Sequence, residues 1–298
     1  MAKEKVKAKA PKEGILDPEV PAGKEIEFKG EIKGDAPPDE KQDEESEESE
    51  EDQFHLIAKA GLLKETIGLC SSLVDDVKLK IKPNGIKIAA VDPAHICLVE
   101  LTLSGEACDE YDATNFELGI TLEKLSGILK LAKDAVTIDY DPKEKRLVFK
   151  MDTLTRRMGT IDPEGMADPT IPKMVTPGKF AIPAQHFAVT LEACEQISDH
   201  MRISVDKMGI EIFTESDADT VLDEIPKDRL IELNTTGMFS SDYSLEYLKN
   251  ATKGAKESIK FGMSNDNPLQ MEYTFAEGKG TVQYVLAPRI EGDGVKND

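Results

Sequence analysis

The stretch that decides the fold is residues 62–91, which read LLKETIGLCSSLVDDVKLKIKPNGIKIAAV. Its first part places apolar side chains three and four positions apart, the spacing of one helical face. Its second part alternates apolar and polar residues over 77–81 and again over 86–88, and Asn84-Gly85 between these runs is typical of a hairpin turn. The stretch therefore predicts a helix followed by a two-stranded hairpin. The helical face comprises Leu63, Thr66, Ile67, Cys70 and Leu73.

The same pattern returns 124 positions further along the chain without a gap, so that Gly209 corresponds to Gly85 and Asp199 to Asp75. Apolar and polar residues alternate again over 201–205. A repeat of this length favours a duplicated supersecondary unit over two unrelated helix–hairpin segments. The second helical face comprises Phe187, Leu191, Cys194 and Ile197.

The composition describes a highly charged chain with room for more than one domain. Its 298 residues fit about two domains, and 39% hydrophobic residues suffice for packed cores. Lysine and arginine number 37 against 58 aspartates and glutamates, which gives a net charge of -21. This charge argues against a protein that wraps nucleic acid with a uniformly basic face, but it allows basic residues concentrated on one surface.

The cysteines and the apolar runs bear on the cellular compartment. Four cysteines lie far apart and lack the paired spacing of a zinc or redox motif. Buried free thiols in a reducing compartment are therefore expected. The longest apolar runs are too short to span a membrane, and no signal-peptide pattern opens the chain, which predicts an intracellular soluble protein. The cysteines are Cys70, Cys97, Cys108 and Cys194.

The chain divides into segments by composition and periodicity. Residues 1–52 are rich in Pro, Ser and acidic side chains after a Lys/Ala-rich start, which predicts a disordered acidic extension that is either only solvated or binds a basic partner. Apolar periodicity covers 53–158 and 180–291, whereas prolines and glycines indicate a linker over 159–179. Residues 292–298 are expected to form a flexible tail. Two helices among many short strands in each domain predict a duplicated α+β fold with mainly antiparallel sheets.

No catalytic or metal-binding motif can be identified. The four histidines lack the helical pair spacing of a metalloprotease, and no Gly-rich phosphate loop or nucleophile-elbow motif is present. Aspartate pairs at 139 and 141 and at 217 and 219 could bind a cation or act as acid and base. Solvated turn residues are the simpler interpretation in a chain with 58 acids. We therefore expect no catalysis, no cofactor and no metal.

Lysines occur on three of the four expected helices. Lys130 occupies the polar face of the second helix, and Lys249 and Lys253 lie one turn apart on the fourth. These side chains are either ordinary surface lysines or parts of a functional basic surface. The third helix instead carries Glu192 and Glu195 and no lysine.

Several short motifs carry a resemblance to a known family. The sequence AVDPAH at 90–95 runs into LVEL at 98–101, and the chain reads YVLAPRIE at 284–291. The DPTIP of 168–172 is similar to an interdomain connector. Further matching pairs are Met263-Ser264, Pro268-Leu269 and Glu272-Tyr273. Together with the duplication, these motifs make residues 54–291 resemble proliferating-cell nuclear antigen, the DNA polymerase sliding clamp of archaea and eukaryotes.

The resemblance implies an architecture and a role for the lysines. In this family two similar domains per subunit close head-to-tail into a homotrimeric ring, with sheets outside and helices lining a hole that holds duplex DNA. A closed ring is retained by topology, so a modest set of inner lysines supplies nonspecific, salt-sensitive attraction. The lysines matched to the inner surface are Lys64, Lys124, Lys130, Lys133, Lys249 and Lys253.

The resemblance also implies a subunit interface made by two edge strands, which are assigned here to 150–158 and 212–222. The first is basic at its end and the second is acidic. We hypothesise that these acids, with those of the third helix, meet basic residues of the neighbouring subunit. Strand pairing and apolar packing must carry most of the stability because exposed ion pairs contribute little. The assigned residues are Lys150, Arg156, Arg157, Glu192, Glu195, Asp199, Asp217 and Asp219, with Glu215 beside them.

A docking site for client proteins is implied beneath the connector, where clients of the family insert aromatic and aliphatic anchors. A Pro-bracketed loop and an apolar C-terminal strand are consistent with such a groove. Val285 stands where the family often has an aromatic residue. The matched positions are Val91, His95, Ile96, Met166, Ile171, Pro268, Val285, Ala287, Pro288 and Ile290.

The sequence therefore predicts a DNA sliding clamp that serves as a processivity factor and docking platform. Its expected partners are duplex DNA, further copies of itself, DNA polymerase, the clamp loader, a flap endonuclease and DNA ligase, with no membrane. An archaeal clamp would be cytoplasmic and nucleoid-associated, and a eukaryotic one nuclear. The alternatives are a subunit of a heterotrimeric or checkpoint clamp, an acidic binding or chaperone module that depends on residues 1–52, and, more remotely, a carboxylate-based hydrolase.

Overall fold

The computed structural model of the chain describes residues 52–289. The predicted acidic extension and C-terminal tail lie outside this range, apart from residue 52. The described part contains eighteen strands and four α-helices. The helices are α1 (Ala60–Gly68), α2 (Leu122–Leu129), α3 (Ala184–Glu195) and α4 (Leu245–Thr252).

The strands fall into two sets of nine, one in each half of the described chain. The first set is β1 (Phe54–Lys59), β2 (Asp76–Lys82), β3 (Gly85–Val91), β4 (Cys97–Ser104), β5 (Glu110–Ala113), β6 (Phe116–Thr121), β7 (Ala135–Asp141), β8 (Arg146–Met151) and β9 (Leu154–Gly159). The second set is β10 (Gly178–Pro183), β11 (His200–Val205), β12 (Gly209–Glu215), β13 (Thr220–Pro226), β14 (Glu232–Thr235), β15 (Phe239–Ser244), β16 (Ser258–Met263), β17 (Leu269–Phe275) and β18 (Gly280–Leu286).

The two halves repeat the same order of elements, which confirms the duplicated α+β fold. The helices are shorter than their apolar stripes suggested. Cys70 and Leu73 are buried, but they lie in turns after α1, and Ile197 lies in a turn after α3. The fourth helix begins at Leu245, directly after β15, which contains the buried Tyr243. Apolar spacing extends past the helix ends because the turn residues also face the core.

Close backbone approach explains the glycine that both hairpins share. Gly85 has φ +147°, and a Cβ there would lie 2.1 Å from the Leu103 carbonyl oxygen of β4. At Gly209 a Cβ would lie 2.2 Å from the Ile225 carbonyl oxygen of β13. The expectation that Asn84 and Gly85 both occupy the turn is wrong in detail, because Gly85 already pairs with Lys82 as the first residue of β3.

Three antiparallel sheets organise the described residues. The largest has nine strands in the order β14-β10-β16-β17-β18-β4-β3-β2-β6, so it contains strands of both halves. The halves join where β18 pairs with β4, from Gly280 opposite Leu103 to Leu286 opposite Cys97. The other sheets run β5-β1-β7-β8-β9 and β13-β12-β11-β15, so β9 and β13 are edge strands.

Helix pairs and buried aromatic rings fill the core. In the first half α1 packs against α2, and Leu63, Leu125 and Leu129 are buried. In the second half α3 packs against α4, and the ring of Phe187 meets that of Phe261 edge-on at 5.0 Å between centroids. None of the helices among residues 52–289 is long and apolar enough to cross a membrane.

All four cysteines are free, as predicted, although Cys108 is only partly buried. Burial raises the pKa of the Cys70 and Cys97 thiols to about 12 and that of Cys194 to about 11. Thiols with such pKa values remain protonated near neutral pH and are poor nucleophiles.

Candidate DNA-facing, docking and assembly surfaces

The lysines of the first half form an unpaired basic group on and after α2. Lys124, Lys130 and Lys133 are all exposed. None of them forms an ion pair with a carboxylate of residues 52–289. Their charge is therefore available to a phosphate backbone. Lys64 lies nearby on α1, where its Nζ donates a hydrogen bond to the Ala132 carbonyl oxygen at 2.8 Å.

The lysines of the second half are partly compensated. Lys249 on α4 places Nζ 2.8 Å and 2.6 Å from the two carboxylate oxygens of Glu195 on α3. Lys253 is exposed and unpaired within the described chain, but desolvation lowers its pKa. The acidic third helix thus neutralises a lysine of its own chain, which is a different role from the contact with a neighbouring subunit that we hypothesised for Glu195.

Sequence reasoning missed one lysine at the junction of the halves. Lys256 follows α4 and forms a 2.7 Å ion pair with Glu65 of α1. A charge pattern alone could not assign this lysine, because its partner lies far away in the sequence.

Two of the matched docking residues, Val91 and Val285, share one face of the nine-stranded sheet with Leu98. Val91 of β3 lies opposite Leu98 of β4, and Leu98 lies opposite Val285 of β18. Opposite residues of antiparallel strands point to the same face, so Val91, Leu98 and Val285 form an apolar row. Leu98 was not among the predicted docking residues, although the alternation of β4 assigns it to the same face as Val91.

The connector brings Ile171 to this row but leaves Met166 elsewhere. Ile171, Val285 and Gln270 line one cavity of about 190 Å³. A second groove, of about 430 Å³, lies between residues 173–177 and Pro268. The sulphur of Met166 instead lies over Gly119 of β6. β6 is three strands away from β4 and four from β18, roughly 15–20 Å at the usual strand spacing, so the structure does not bring Met166 to Val285.

Two anchors hold the connector over the sheet. Ile161 and Gly119 exchange backbone hydrogen bonds of 2.7 Å and 3.0 Å. Lys80 Nζ lies 2.5 Å from Asp168 Oδ2, and this hydrogen bond lowers the pKa of the Asp168 carboxyl. The connector is therefore tied to the first half before it reaches the docking row.

The loop after β3 is built around a buried carboxylate that the predictions did not include. Asp92 is only 3% exposed and accepts hydrogen bonds from the amides of Ala94, Ile96 and Cys97 at 3.0, 2.7 and 2.6 Å. Burial opposes ionisation of Asp92, but these amides and the Tyr247 hydroxyl outweigh it, so the pKa lies below its usual value.

The same loop presents two of the matched docking residues. His95 has φ 57° and is exposed, and Ile96 is 36% exposed. The Ile96 carbonyl oxygen accepts a 2.8 Å hydrogen bond from the amide of Ala287, which precedes Pro288 in the C-terminal segment. Loop and C-terminal segment therefore lie side by side. Ile290, the last matched position, lies outside the described residues.

The edge strands differ from those assigned from the sequence. Lys150 belongs to β8, an internal strand, and donates a 2.8 Å hydrogen bond to Asp139. The first edge strand is β9, where Arg156 and Arg157 are exposed. Residues 212–222 span the end of internal β12, a turn containing Asp217 and Asp219, and the start of edge strand β13. The sequence assigns this hairpin to a single strand because its turn is polar and short.

A groove lies between α3 and the edge strand β13. Val189 and Leu222, which line it, are 62% and 54% exposed. On its wall Asp223 accepts hydrogen bonds from His186 Nε2 at 2.8 Å and Thr190 Oγ1 at 2.5 Å. Leu154 of β9 is likewise 47% exposed. Both edges thus combine unpaired backbone with exposed aliphatic side chains.

Of the remaining acidic residues assigned to the interface, one has intrachain partners and one does not. The Asp199 carboxylate contacts His200 Nδ1 at 2.7 Å and Arg289 at 2.8 Å, and these contacts lower its pKa to about 2. Glu192 is exposed and forms no ion pair within residues 52–289. No cluster of three or more metal-ligating side chains is present in this part of the chain.

Comparison with known proteins identifies the same two halves. The family profile of the proliferating cell nuclear antigen N-terminal domain matches residues 54–161, and that of the C-terminal domain matches residues 171–289. A protein named DNA polymerase sliding clamp from Methanococcoides burtonii is 34% identical over 246 residues, covering 80% of this chain and 100% of its own. One of the same name from Haloarcula marismortui is 32% identical over 248 residues, with the same coverage.

Solved structures show the same fold. The chain matches the clamp in a structure described as the C-terminal region of FEN-1 bound to A. fulgidus PCNA, with a TM-score of 0.76 and 26% identity over 80% of this chain and 100% of that one. PCNA from Thermococcus kodakaraensis matches with a TM-score of 0.72 and 20% identity over 79% of this chain and 100% of that one, a likeness of fold alone.

Proposed function

Because the chain belongs to the proliferating cell nuclear antigen family, we propose that three copies of it close head-to-tail into a homotrimeric ring around duplex DNA. The protein is a DNA polymerase sliding clamp and a docking platform for replication proteins. Clamps of this family are non-catalytic processivity factors. The finer points, namely the ring, its inner surface and its clients, are derived below from the described residues.

One observation supports head-to-tail closure above all others: the junction between β18 and β4. These strands pair over seven residues each and join the second-half strands of the nine-stranded sheet to its first-half strands. Their counterparts in the duplicated order are β9 and β13, and both are edge strands. Pairing β9 of one copy with β13 of the next would repeat the internal junction between copies and cover two exposed strand edges.

The duplication also gives the register of that pairing. Phe149 of β8 and Met271 of β17 are equivalent positions in the two halves. Phe149 pairs with Arg156 and Met271 pairs with Tyr284, so Arg156 is the equivalent of Tyr284. When the β12–β13 pair is compared with the β3–β4 pair in the same way, Val221 is the equivalent of Val99. Since Tyr284 lies opposite Val99, Arg156 of one copy is expected opposite Val221 of the next.

One step along the strands, this register puts Thr155 opposite Leu222 of the next copy. Both side chains are exposed, on the same face of the joined sheet. Opposite residues in an antiparallel pair have Cβ atoms about 4.5–5.5 Å apart, close to disulfide geometry. The variant Thr155→Cys/Leu222→Cys should therefore form a covalent ring under mild oxidation, which runs as three chains on a denaturing, non-reducing gel.

Three controls make this test specific. Either single cysteine variant should give no three-chain species. Thr155→Cys/Thr220→Cys displaces one thiol by two residues on the same face and should cross-link far less. A cross-linked species of any other size, or equal cross-linking by the displaced pair, would contradict the proposed ring or its register.

We further propose that the exposed lysines of α1, α2 and α4 face DNA in the ring, and that clients dock on the row beneath the connector. Unpaired Lys124, Lys130 and Lys133 support the first point, and the proximity of Ile171, Val285 and Ile96 to the connector and C-terminal segment supports the second. A polymerase, a clamp loader, a flap endonuclease and a ligase are the proposed clients, in the cytoplasm at the nucleoid, or in the nucleus of a eukaryote.

Solution mass and processivity test the function as a whole. Light scattering coupled to size exclusion should give a mass near three chains, and the ring should lengthen polymerase products on primed circular DNA. A monomer that becomes active only with a second clamp protein would instead identify a heterotrimer subunit. Truncation of residues 1–51 should leave both results unchanged, whereas it would abolish the activity of a module driven by the acidic extension.

A further inference from the structure

The loop that presents His95 and Ile96 is fixed by the other half of the chain. Tyr247 on α4 directs its hydroxyl to Asp92 Oδ2, at 2.8 Å. Asp92 belongs to the first half and Tyr247 to the second, so this hydrogen bond crosses the junction between them. Burial, and then the Asp92 carboxylate, raise the pKa of Tyr247 to about 12, so the phenol remains a donor at neutral pH.

Asp92 has a double function in this arrangement. Its Oδ1 accepts from the amides of Ile96 and Cys97, while its Oδ2 accepts from Ala94 and from Tyr247. The position of the loop amides therefore depends on the position of the Asp92 carboxylate, which the Tyr247 hydroxyl of α4 holds in place. A hydroxyl on a buried carboxylate is a charge-assisted hydrogen bond, stronger than a neutral one.

The loop conformation requires such support. His95 adopts φ 57°, a left-handed conformation that is uncommon for residues other than glycine. On its other side the loop is held by the Ala287 amide, which donates to Ile96 at 2.8 Å. Ala287 and Tyr247 both belong to the second half, so the loop is held at two points by elements outside its own half.

We propose that Tyr247 is a positioning residue for client docking: its hydrogen bond to Asp92, here termed the latch, holds the 92–96 loop where an incoming client peptide meets His95 and Ile96. The inference rests on the docking surface proposed above. Tyr247 itself lies on the helix that carries Lys249 and is followed by Lys253, and it is not part of the docking surface. The latch therefore links the DNA-facing helix to the client loop.

The decisive variant is Tyr247→Phe, which removes only the hydroxyl. Its matched control is Tyr111→Phe, because the Tyr111 hydroxyl is also hydrogen-bonded within the chain, lying 2.7 and 2.9 Å from the backbone carbonyl oxygens of Lys82 and Gly85, far from the docking row. Binding of a fluorescein-labelled peptide of the FEN-1 C-terminal region to each full-length protein would be followed by fluorescence anisotropy.

We expect Tyr247→Phe to bind the peptide about tenfold more weakly than wild type, which corresponds to the lower end of the range for a hydrogen bond to a charged group. Tyr111→Phe should bind as wild type does, and both variants should keep the wild-type solution mass. Hydrogen exchange at the Ala94, Ile96 and Cys97 amides should accelerate in Tyr247→Phe alone, a change that general destabilisation would produce in both variants.

Wild-type affinity in Tyr247→Phe would overturn the latch while leaving the docking surface intact. Equal weakening in both variants would also overturn it, because the loss would then reflect stability rather than loop position. If the wild-type protein does not bind the peptide, the docking surface itself is contradicted, and the latch that serves it falls with it.

Discussion

The strands β18 and β9 occupy equivalent places in the two halves, yet their environments differ. β18 is paired on both sides, with β17 and with β4 of the other half, whereas β9 pairs only with β8. The same contrast separates β4 from β13. The β18–β4 junction is thus formed inside the chain, whereas the equivalent strands β9 and β13 each have one unpaired edge in the described part of the chain. In the proposed ring, assembly would reuse an interface that folding has already formed once within the chain.

The largest effect is expected from reversing charge at the open edge. In the proposed register Arg157 lies opposite Thr220 of the next copy, beside Asp219, so Arg156→Glu/Arg157→Glu would bring like charges together at a cost of several kcal/mol per junction. Light scattering should then show monomers that remain folded, because the closed β18–β4 junction is not altered. Lys143→Glu/Arg146→Glu, in and after the β7–β8 turn, changes the net charge equally and should remain trimeric. A trimeric Arg156→Glu/Arg157→Glu protein would show that edge charge does not control assembly.

The next effect separates the paired glycines. Gly85→Ala should lower the free energy of unfolding by roughly 2 kcal/mol or more, since both a close backbone contact and a positive φ oppose a side chain. Gly209→Ala should cost less, because only the contact with Ile225 opposes it, but it should also weaken the trimer by displacing β13. Urea unfolding and solution mass measure the two effects.

A helix glycine provides the control for this pair. Gly61 on α1 has open space at the Cβ position, so Gly61→Ala should stabilise the protein by up to about 1 kcal/mol. If Gly85→Ala were as harmless as Gly61→Ala, the shared glycine would need another explanation than backbone approach.

A smaller effect should distinguish the lysines of the two halves. Removal of Lys124 and Lys130 should weaken nonspecific binding of duplex DNA and reduce the slope of log affinity against log salt by about one for each lysine. Lys249→Ala should change the slope less, because Glu195 already compensates that charge. Anisotropy titrations of a labelled duplex at several salt concentrations measure the slopes. Equal slopes for the Lys124, Lys130 and Lys249 variants would contradict the proposal that α2 contributes more positive charge to the inner surface than α4 does.

The smallest effect concerns pH. His55 of β1 contacts Asp139 Oδ1 at 2.7 Å and Glu110 at 3.5 Å, and the hydrogen bond to Asp139 raises its pKa above 6.5. The equivalent position in β10 is Lys179. Because the folded pKa is raised, the His55 contribution is fully present below pH 6.5 and is lost as pH rises through the folded value.

The corresponding measurement is urea unfolding at pH values of about 6 and about 8. His55→Gln should be destabilised relative to wild type at the lower pH and match it more closely at the higher one. Lys179→Gln should show no such change, since this equivalent position of the second half carries no histidine. A His55→Gln difference that does not depend on pH would mean that packing, not charge, explains the role of His55.

The repeated unit was predictable because helices and strands have different hydrophobic periods, and both are written in the local sequence. The exposed lysines of α2 were predictable for the same reason, since the polar face of an amphipathic helix is solvated. The position of Met166 over β6 was not predictable, because a connector without periodicity gives no indication of which strand it crosses. Asp92 and Tyr247 were missed because a buried polar contact between distant positions leaves no local pattern.

By itself, the sequence determined the duplication, the order of helices and strands, the shared glycines and the family. These are properties of short segments, where side-chain spacing and backbone freedom act within a few residues. Only the tertiary structure decided which strands lie at the edges, that Glu195 compensates Lys249, and that Tyr247 holds the loop of Asp92. Those outcomes depend on contacts between residues far apart in the chain, whose free energies arise only after the two halves have packed.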